Sequence, residues 1–312
     1  MTDPFEAIKL ALKKNTRSFY LSLMIFPNPV KKQVSVAYLF CKMADTIVDT
    51  DLFPKEQRKE VLADFYKVVT GAMALPAVQS LRDHFEPLQP ALFLFQQFSL
   101  EDQKQILTLF KQVTLGMEMD LEGKSLQNEE ELDRYCCHVA GAPGVFLTEL
   151  FFRYQYLKKE KEKMVALGAR LGKGLQLINI LRDQREDSER GRVYLPDPER
   201  SSHQKIIQKT IGYLDNGLEY VMRVPRRAWR IRLGSLWPLL FAIKTLKRLV
   251  NSPRNPLEKI KISRGEIYLT MLFSAVILFS NSGIRRYFKT LKKGIDGLVK
   301  GRHSRESGNP EV

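Results

Sequence analysis

Two pairs of aspartates, Asp45 with Asp49 and Asp183 with Asp187, decide most of what this chain can fold into. Within each pair the acids are four residues apart, in Asp45-Thr-Ile-Val-Asp49 and in Asn179-Ile-Leu-Arg-Asp183-Gln-Arg-Glu-Asp187. On a helix that spacing sets both carboxylates on one face, about 40° apart around the axis. Like charges placed so repel, at a cost of roughly 0.2–0.5 kcal/mol per pair. Both pairs also close strongly apolar stretches, Val34–Met43 and Leu171–Leu181. Carboxylates tolerate such places when they face a wet cavity or bind a cation. Two pairs on two helices would make an oxygen-lined cage for Mg²⁺, which is commonly held by one or two carboxylates plus substrate phosphate. A solvated acidic face partnered by Arg182 and Arg185 is the plainer reading of one pair alone. The repeat of the spacing beside a second apolar helix favours the cation.

The remaining pattern is helical almost throughout. Apolar residues recur at helical period, glycine and proline fall mostly between those segments, and no alternating strand pattern persists. The periodicity predicts helices near 4–14, 17–24, 30–50, 55–70, 101–122, 129–140, 143–156, 160–188, 203–222, 227–251, 263–282 and 285–299. Pro196 and Pro198 end the second acidic helix. With no repeat and no clear linker, we expect one all-α domain over 1–283, followed by a basic amphipathic helix and polar tail over 284–312. Gly301–Val312 is expected to be disordered. Ile267–Phe279 is the most apolar stretch. It falls short of the ~20 residues of a membrane span and opens on the capping-box pattern Ser263-Arg-Gly-Glu266. We expect a buried core helix there.

The formal net charge of +15 points to anionic partners: nucleic acid, acidic lipid headgroups or a phosphorylated substrate. Cys41, Cys136 and Cys137 show neither metal-ligand spacing nor a disulfide framework, so a reducing cytoplasm is the simplest compartment. The start MTDPFEAIKL lacks the pattern of a signal peptide.

Phosphate brought in with a metal ion needs cations to meet it. Arg17 stands at a predicted helix start, where backbone N–H groups also favour anions. Lys42 lies one turn before Asp45, and Arg192 follows the second acidic motif in Gly191-Arg-Val-Tyr-Leu-Pro196. Each alone reads equally as a surface charge. Gln176 and Asn179 extend the second acidic face toward the apolar part of its helix. Tyr135 opens Tyr-Cys-Cys-His-Val-Ala-Gly141-Ala-Pro-Gly144. Interior glycine costs about 1 kcal/mol against alanine, so Gly141 and Gly144 call for a packing or ligand reason. One such reason is a bulky apolar ligand lying against backbone, with the Tyr135 phenol nearby to move protons; the alternative is a helix-packing tyrosine with a break at Pro143. His138 reads as structural.

Together these stretches resemble the squalene/phytoene synthase family, the head-to-head prenyl synthases. The matching residues are Thr16-Arg-Ser-Phe19, Tyr38-Leu-Phe-Cys-Lys-Met-Ala-Asp45 through Asp49, Tyr135 through Gly141, and Gln176 through Pro196, in family order and spacing across roughly 10–285. The resemblance implies an all-α isoprenoid synthase bundle around a central apolar cavity. It implies that Asp45, Asp49, Asp183 and Asp187 hold Mg²⁺, with Arg17, Lys42, Arg192 and Asn179 on substrate diphosphate. Tyr38, Tyr135 and Gln176 would stand at the reaction centre, and Phe19, Val139, Ala140, Gly141 and Gly144 would line the substrate cavity. Lys42 departs from the arginine usual at its position, which keeps the charge and loses the bidentate fork. The implied reaction joins two prenyl diphosphates. We expect two farnesyl diphosphates to give squalene with NADPH, with dehydrosqualene or phytoene as the alternative.

Two further expectations concern partners. Arg223, Arg226, Arg227, Arg230 and Arg232 form a basic cluster that would suit a nucleic-acid binder, but no recognition motif accompanies it and the acidic pairs would stay unexplained. Ile284, Tyr287, Phe288, Leu291, Ile295 and Leu298 recur at helical spacing among Arg285, Arg286, Lys289, Lys292 and Lys293. Such a helix can lie on an anionic bilayer, so peripheral attachment to the inner face of the cytoplasmic membrane is expected. A monomer suffices for all of this.

Overall fold

The computed structural model describes residues 3–15, 17–49, 52–74, 85–123, 125–195, 200–251, 260 and 262–306. Among these every regular element is helical. In chain order they are α1 (Pro4–Asn15), α2 (Arg17–Ile25), α3 (Asn28–Asp49), α4 (Arg58–Thr70), α5 (Leu88–Gln96), α6 (Leu100–Glu122), α7 (Glu129–Cys136), a π turn (Cys137–Gly141), α8 (Ala142–Arg153), α9 (Lys161–Glu189), α10 (Arg200–Arg223), a 3₁₀ turn (Arg226–Ala228), α11 (Trp229–Asn251), α12 (Arg264–Ile277) and α13 (Asn281–Glu306).

Two helices organise the bundle. α3 buries Val34, Ala37, Phe40, Ala44, Ile47 and Val48 and packs on α1, α4, α5 and α6. Phe110 of α6 meets Phe65 edge-on at 5.4 Å and Phe40 at 6.0 Å, joining α3, α4 and α6 through one aromatic cluster. α9 runs between α8, α10 and α11. Backbones come very close where it crosses α8 and the π turn. A Cβ on Gly144 would stand 2.1 Å from the Gly168 carbonyl oxygen, and one on Gly172 would stand 2.0 Å from that of Ala140. Helix packing therefore accounts for Gly144, the side of which faces α9. Asp102 is buried at the start of α6 and is held by Arg153 Nε at 2.5 Å and the Ser99 hydroxyl at 2.6 Å, as a buried charge requires.

The structure departs from the sequence reading in four places. α5 was not predicted, because Leu88-Gln-Pro-Ala-Leu-Phe-Leu-Phe-Gln96 is apolar on every side and carries Pro90. Pro90 lies in the first turn, where its missing N–H has no helical partner to lose. The break expected at Pro143 is replaced by the π turn, in which the Ala142 N–H reaches back to the Cys137 carbonyl and lets α7 run into α8. The whole stretch 129–153 is long and apolar enough to cross a membrane by composition, yet it packs between α6 and α9. The buried helix expected at 267–279 is instead largely exposed: α12 seats only Thr270 and Ser274 fully and leaves most of its large apolar side chains outside. Finally, α13 continues to Glu306, into the segment expected to be disordered, since extending a formed helix adds one hydrogen bond per residue fixed.

The arginine cluster is largely spent on the fold. Arg232 is buried and donates to the Val224 carbonyl at 2.8 Å and to Asn281. Arg230 donates to the Ile25 carbonyl at 2.6 Å, and Arg223 binds Glu160 at 2.5 Å and Glu219 at 2.9 Å. Arg226 and Arg227 remain exposed, too few for a basic recognition face.

Candidate functional site

α3 and α9 present matching rows of polar groups. On α3 these are Tyr38, Lys42, Asp45 and Asp49; on α9 they are Gln176, Asn179, Asp183 and Asp187. Each row advances about one turn per residue, so each forms a stripe along its helix. All eight are half-buried, while their helix neighbours Met43, Ala44, Ile47, Leu177, Ile178 and Ile180 are buried. The stripes therefore border water-reached space against an apolar body.

The end of α9 joins the two stripes. Gly191 takes the left-handed conformation, φ 76°. The Gly191 N–H then donates to the Ser188 carbonyl at 2.9 Å and the Arg192 N–H to the Asp187 carbonyl at 2.8 Å. This is the paired hydrogen-bonding of a Schellman cap. It reverses the chain so that Arg192 projects to α3. Arg192 Nη1 donates to Asp49 Oδ1 at 2.5 Å, and Arg190 Nη1 to Asp49 Oδ2 at 3.3 Å. Lys42 pairs with Asp45. Arg182 binds Asp183 through Nε at 2.8 Å and Nη2 at 2.5 Å, while Arg185 binds Glu189 rather than an aspartate of the pair. The cations expected to meet diphosphate are thus seated on the carboxylates expected to meet metal.

The acids are electrostatically stressed. Asp45 is pushed above the usual carboxylate range by burial first and by Asp49 next, against the pull of Lys42. Asp187 is pushed up to about 6 by burial and by Asp183. A cation between the pairs would relieve both. Among the described residues no three acidic, histidine or cysteine side chains converge tightly enough to hold a metal alone. Two carboxylates per helix are nevertheless the donor set with which Mg²⁺ binds when phosphate completes its shell. The donors fit the ion.

Beyond Arg192 lies a network in which the sequence pointed to Tyr135 alone. Tyr135 is buried and stacks on Tyr194 at 4.7 Å, with an interplanar angle of 27°. Its hydroxyl lies 3.1 Å from both Asp120 Oδ2 and the Tyr194 oxygen, and Tyr194 donates to Asp120 Oδ1 at 2.7 Å. Asp120 is pushed up to about 6, chiefly by burial, in spite of the two tyrosine hydrogen bonds and the Arg192 charge. Burial also pushes both phenols well up, so they stay protonated. Asp120, Tyr135, Arg192 and Tyr194 line a cavity of ≈10 Å³, room for about one water. Asp120 had a signal in the sequence: it lies three residues past Met117, on the buried stripe of Ile106, Phe110 and Val113, where an acid has no packing reason to be.

The other expected residues are placed as follows. Tyr38 is half-buried, its phenol pushed up by burial and by Asp45. Asn179 lies 3.4 Å from the Gln176 amide oxygen. Val139 and Ala140 sit in the π turn, half-buried, with Val139 packed over Gly116 of α6. Gly141 is buried beside Lys173. His138 pairs with Gln112 at 2.9 Å, the structural role expected of it. The side chains of Arg17 and Phe19 lie outside the described residues.

Three comparisons bear on this site. The family model described as squalene/phytoene synthase matches residues 12–204. The chain is 33% identical over 198 residues to a bifunctional lycopene cyclase/phytoene synthase of Pyrenophora tritici-repentis, covering 59% of this chain and 33% of that protein. It is 32% identical over 180 residues to a presqualene diphosphate synthase of Rhodopseudomonas palustris, covering 57% of this chain and 58% of that one. It thus spans between a third and three-fifths of these relatives' length. In fold it matches TcSQS in complex with the ligand BPH1237, with a TM-score of 0.73 and 17% identity, over 96% of this chain and all of that one.

Proposed function

The chain belongs to the squalene/phytoene synthase family, a family of head-to-head prenyl diphosphate condensation, and from that premise we propose that it joins two farnesyl diphosphates to presqualene diphosphate and carries that on to squalene with NADPH. The observation that carries this reading is the pairing of two aspartate stripes with Lys42 and Arg192 beside a buried phenol. That is equipment for two charged leaving groups and one proton.

Asp45, Asp49, Asp183 and Asp187 would hold Mg²⁺, which when bound neutralises leaving diphosphate and promotes its departure. The chain's own groups do the rest. Lys42 and Arg192 leave their carboxylates for phosphate oxygens, which frees Asp45 and Asp49 at the moment a cation arrives. Arg17 and Asn179 extend the anion site. Tyr38 and Gln176 flank the reacting carbons, with Phe19, Val139, Ala140 and Gly141 on the prenyl chain. Apolar walls keep water from the allylic cation.

Closing the cyclopropane requires loss of one carbon-bound proton, whose bonding electrons form the ring. A buried, protonated phenol cannot act as a phenolate base. It can take that proton on oxygen as its own proton passes to Asp120, 3.1 Å away. Tyr135 is thus the catalytic group and Asp120 the reservoir behind it, with Tyr194 fixing the carboxylate.

A second reading stops at presqualene diphosphate, favoured by the likeness to the Rhodopseudomonas palustris protein of that name. Incubation with farnesyl or geranylgeranyl diphosphate and Mg²⁺, with and without NADPH, separates the readings. Squalene only with NADPH supports the proposal. A C30 cyclopropyl diphosphate that accumulates with NADPH present supports the second reading. A C40 triene from geranylgeranyl diphosphate would make the protein a phytoene synthase.

A further inference from the structure

α12 turns an uninterrupted apolar face to solvent. Tyr268, Leu269, Leu272 and Val276 are 62, 67, 68 and 76% exposed, and Phe273 and Phe279 are 45 and 54% exposed. All but Phe279, which follows just past the end of α12, recur along one side of the helix. The opposite side is seated on α11 by polar contacts: Trp237 Nε1 donates to Ser274 at 2.9 Å and Lys244 to Thr270 at 2.7 Å. The helix is therefore mounted apolar side out, the reverse of a surface helix. No charged residue interrupts the stretch between Glu266 and Arg285. A contiguous apolar face of this kind marks an interaction surface.

Cations lie beside it. Phe273 packs on Tyr287 of α13 at 4.6 Å, setting the two helices side by side. α13 buries Ile284, Phe288 and Ile295 in the domain. Those side chains are therefore unavailable to lipid, contrary to the expectation from the sequence, and Leu298 lies outside the described side chains. What α13 leaves outside is its basic side. Arg285, Arg286, Lys289 and Lys293 line an open groove of ≈410 Å³ with Ser282 and Thr290.

We propose that the apolar face of α12 and the basic face of α13 together form a dock for an anionic lipid bilayer. Tyr268, Leu269, Leu272, Val276 and Phe279 enter the interface, and the four cations meet headgroup phosphates. The charges favour lipid over a second copy of the chain, because a two-fold pairing through this face would set the same four cations against each other. The inference stands on the surface and does not depend on the reaction.

Flotation of the full-length protein tests it, using vesicles of phosphatidylcholine with or without phosphatidylglycerol. The wild type should float with the anionic vesicles at low salt, and at least ~10-fold less with neutral vesicles or at high salt. Leu272→Asp with Val276→Asp, and separately Arg286→Gln with Lys289→Gln, should each lower flotation ~10-fold or more with helical content unchanged. All four positions are exposed, so the fold should survive. Wild-type protein that stays at the bottom with anionic vesicles would overturn the proposal. So would a Leu272→Asp/Val276→Asp protein that floats normally, or a non-floating dimer that this variant splits.

Discussion

Arg192, just past the end of α9, places Nη1 2.5 Å from Asp49 Oδ1 at the end of α3. With the longer pair from Arg190 to Asp49 Oδ2 at 3.3 Å, this ion pair links the two acidic motifs, and in the proposed reaction it would exchange partners when a metal ion and diphosphate arrive together. Arg192→Ala removes that exchange and leaves Asp49 only the longer pair with Arg190. We expect kcat/KM for farnesyl diphosphate to fall about 10²-fold or more, in the range found for removing one transition-state donor. Arg192→Lys should recover part of the loss, since the charge stays and the fork goes. Wild-type kinetics for Arg192→Ala would leave the pair a structural clasp.

Tyr135 and Asp120 should act as one unit. Tyr135→Phe and Asp120→Asn should each slow formation of the cyclopropyl intermediate, and the double variant should be hardly slower than the worse single one. Substrate binding should persist in all three. Additive losses, measured in single turnovers, would separate the two residues.

The pH dependence of that step follows from Asp120. Its folded-state value of about 6 stands above the ordinary 3.8. The carboxylate must be ionised to receive the phenol's proton, so single-turnover rates at saturating Mg²⁺ should fall as pH drops through about 6. Saturating metal suppresses the contribution of Asp187, which titrates in the same range. Stability has the opposite sign. A raised carboxylate favours the folded state at low pH, fully below about 4, and this contribution is lost as pH rises through about 6. Asp120→Asn should therefore melt no lower than wild type at pH 8 while losing activity. A lower melting temperature would mean that the charge supports the fold.

Gly144 predicts a stability effect without a ligand. A methyl there meets the Gly168 carbonyl oxygen at 2.1 Å, backbone on backbone, so α8 and α9 must separate. Gly144→Ala should lower stability by about 1–3 kcal/mol in denaturant unfolding. Gly191→Ala meets nothing within 4 Å and bears only the left-handed strain, about 1 kcal/mol. A Gly144→Ala protein as stable as wild type would contradict the close crossing.

The aspartate pairs and the run after Tyr135 stand out because they break local rules, like charges on one face and glycine inside a helix; Lys42 and Arg192 stand out only by lying next to the acidic motifs. Asp120 breaks one as well, as an acid on an apolar helix stripe, whereas Tyr194 breaks none visibly. Tyr194 lay in a motif already singled out, but its partner is 74 residues away in sequence, a distance no local pattern spans. α5 was hidden because an all-apolar run has no period. α12 was misjudged because hydropathy tells how apolar a helix is, and not which way it is mounted; its two small hydroxyl residues, Thr270 and Ser274, are the ones inside.

On the proposed reading this site condenses two prenyl diphosphates head to head, with Asp45, Asp49, Asp183 and Asp187 together holding the metal. Quenched-flow incubation of radiolabelled farnesyl diphosphate, following substrate, C30 product and diphosphate together, tests it most directly. Two substrates should be consumed per C30 molecule, with strict dependence on Mg²⁺, and Asp45→Asn, Asp49→Asn, Asp183→Asn and Asp187→Asn should each lose ~10²-fold or more in rate at unchanged helical content. Farnesol as the sole product, or near wild-type turnover in any one of the four variants at saturating Mg²⁺, would contradict it.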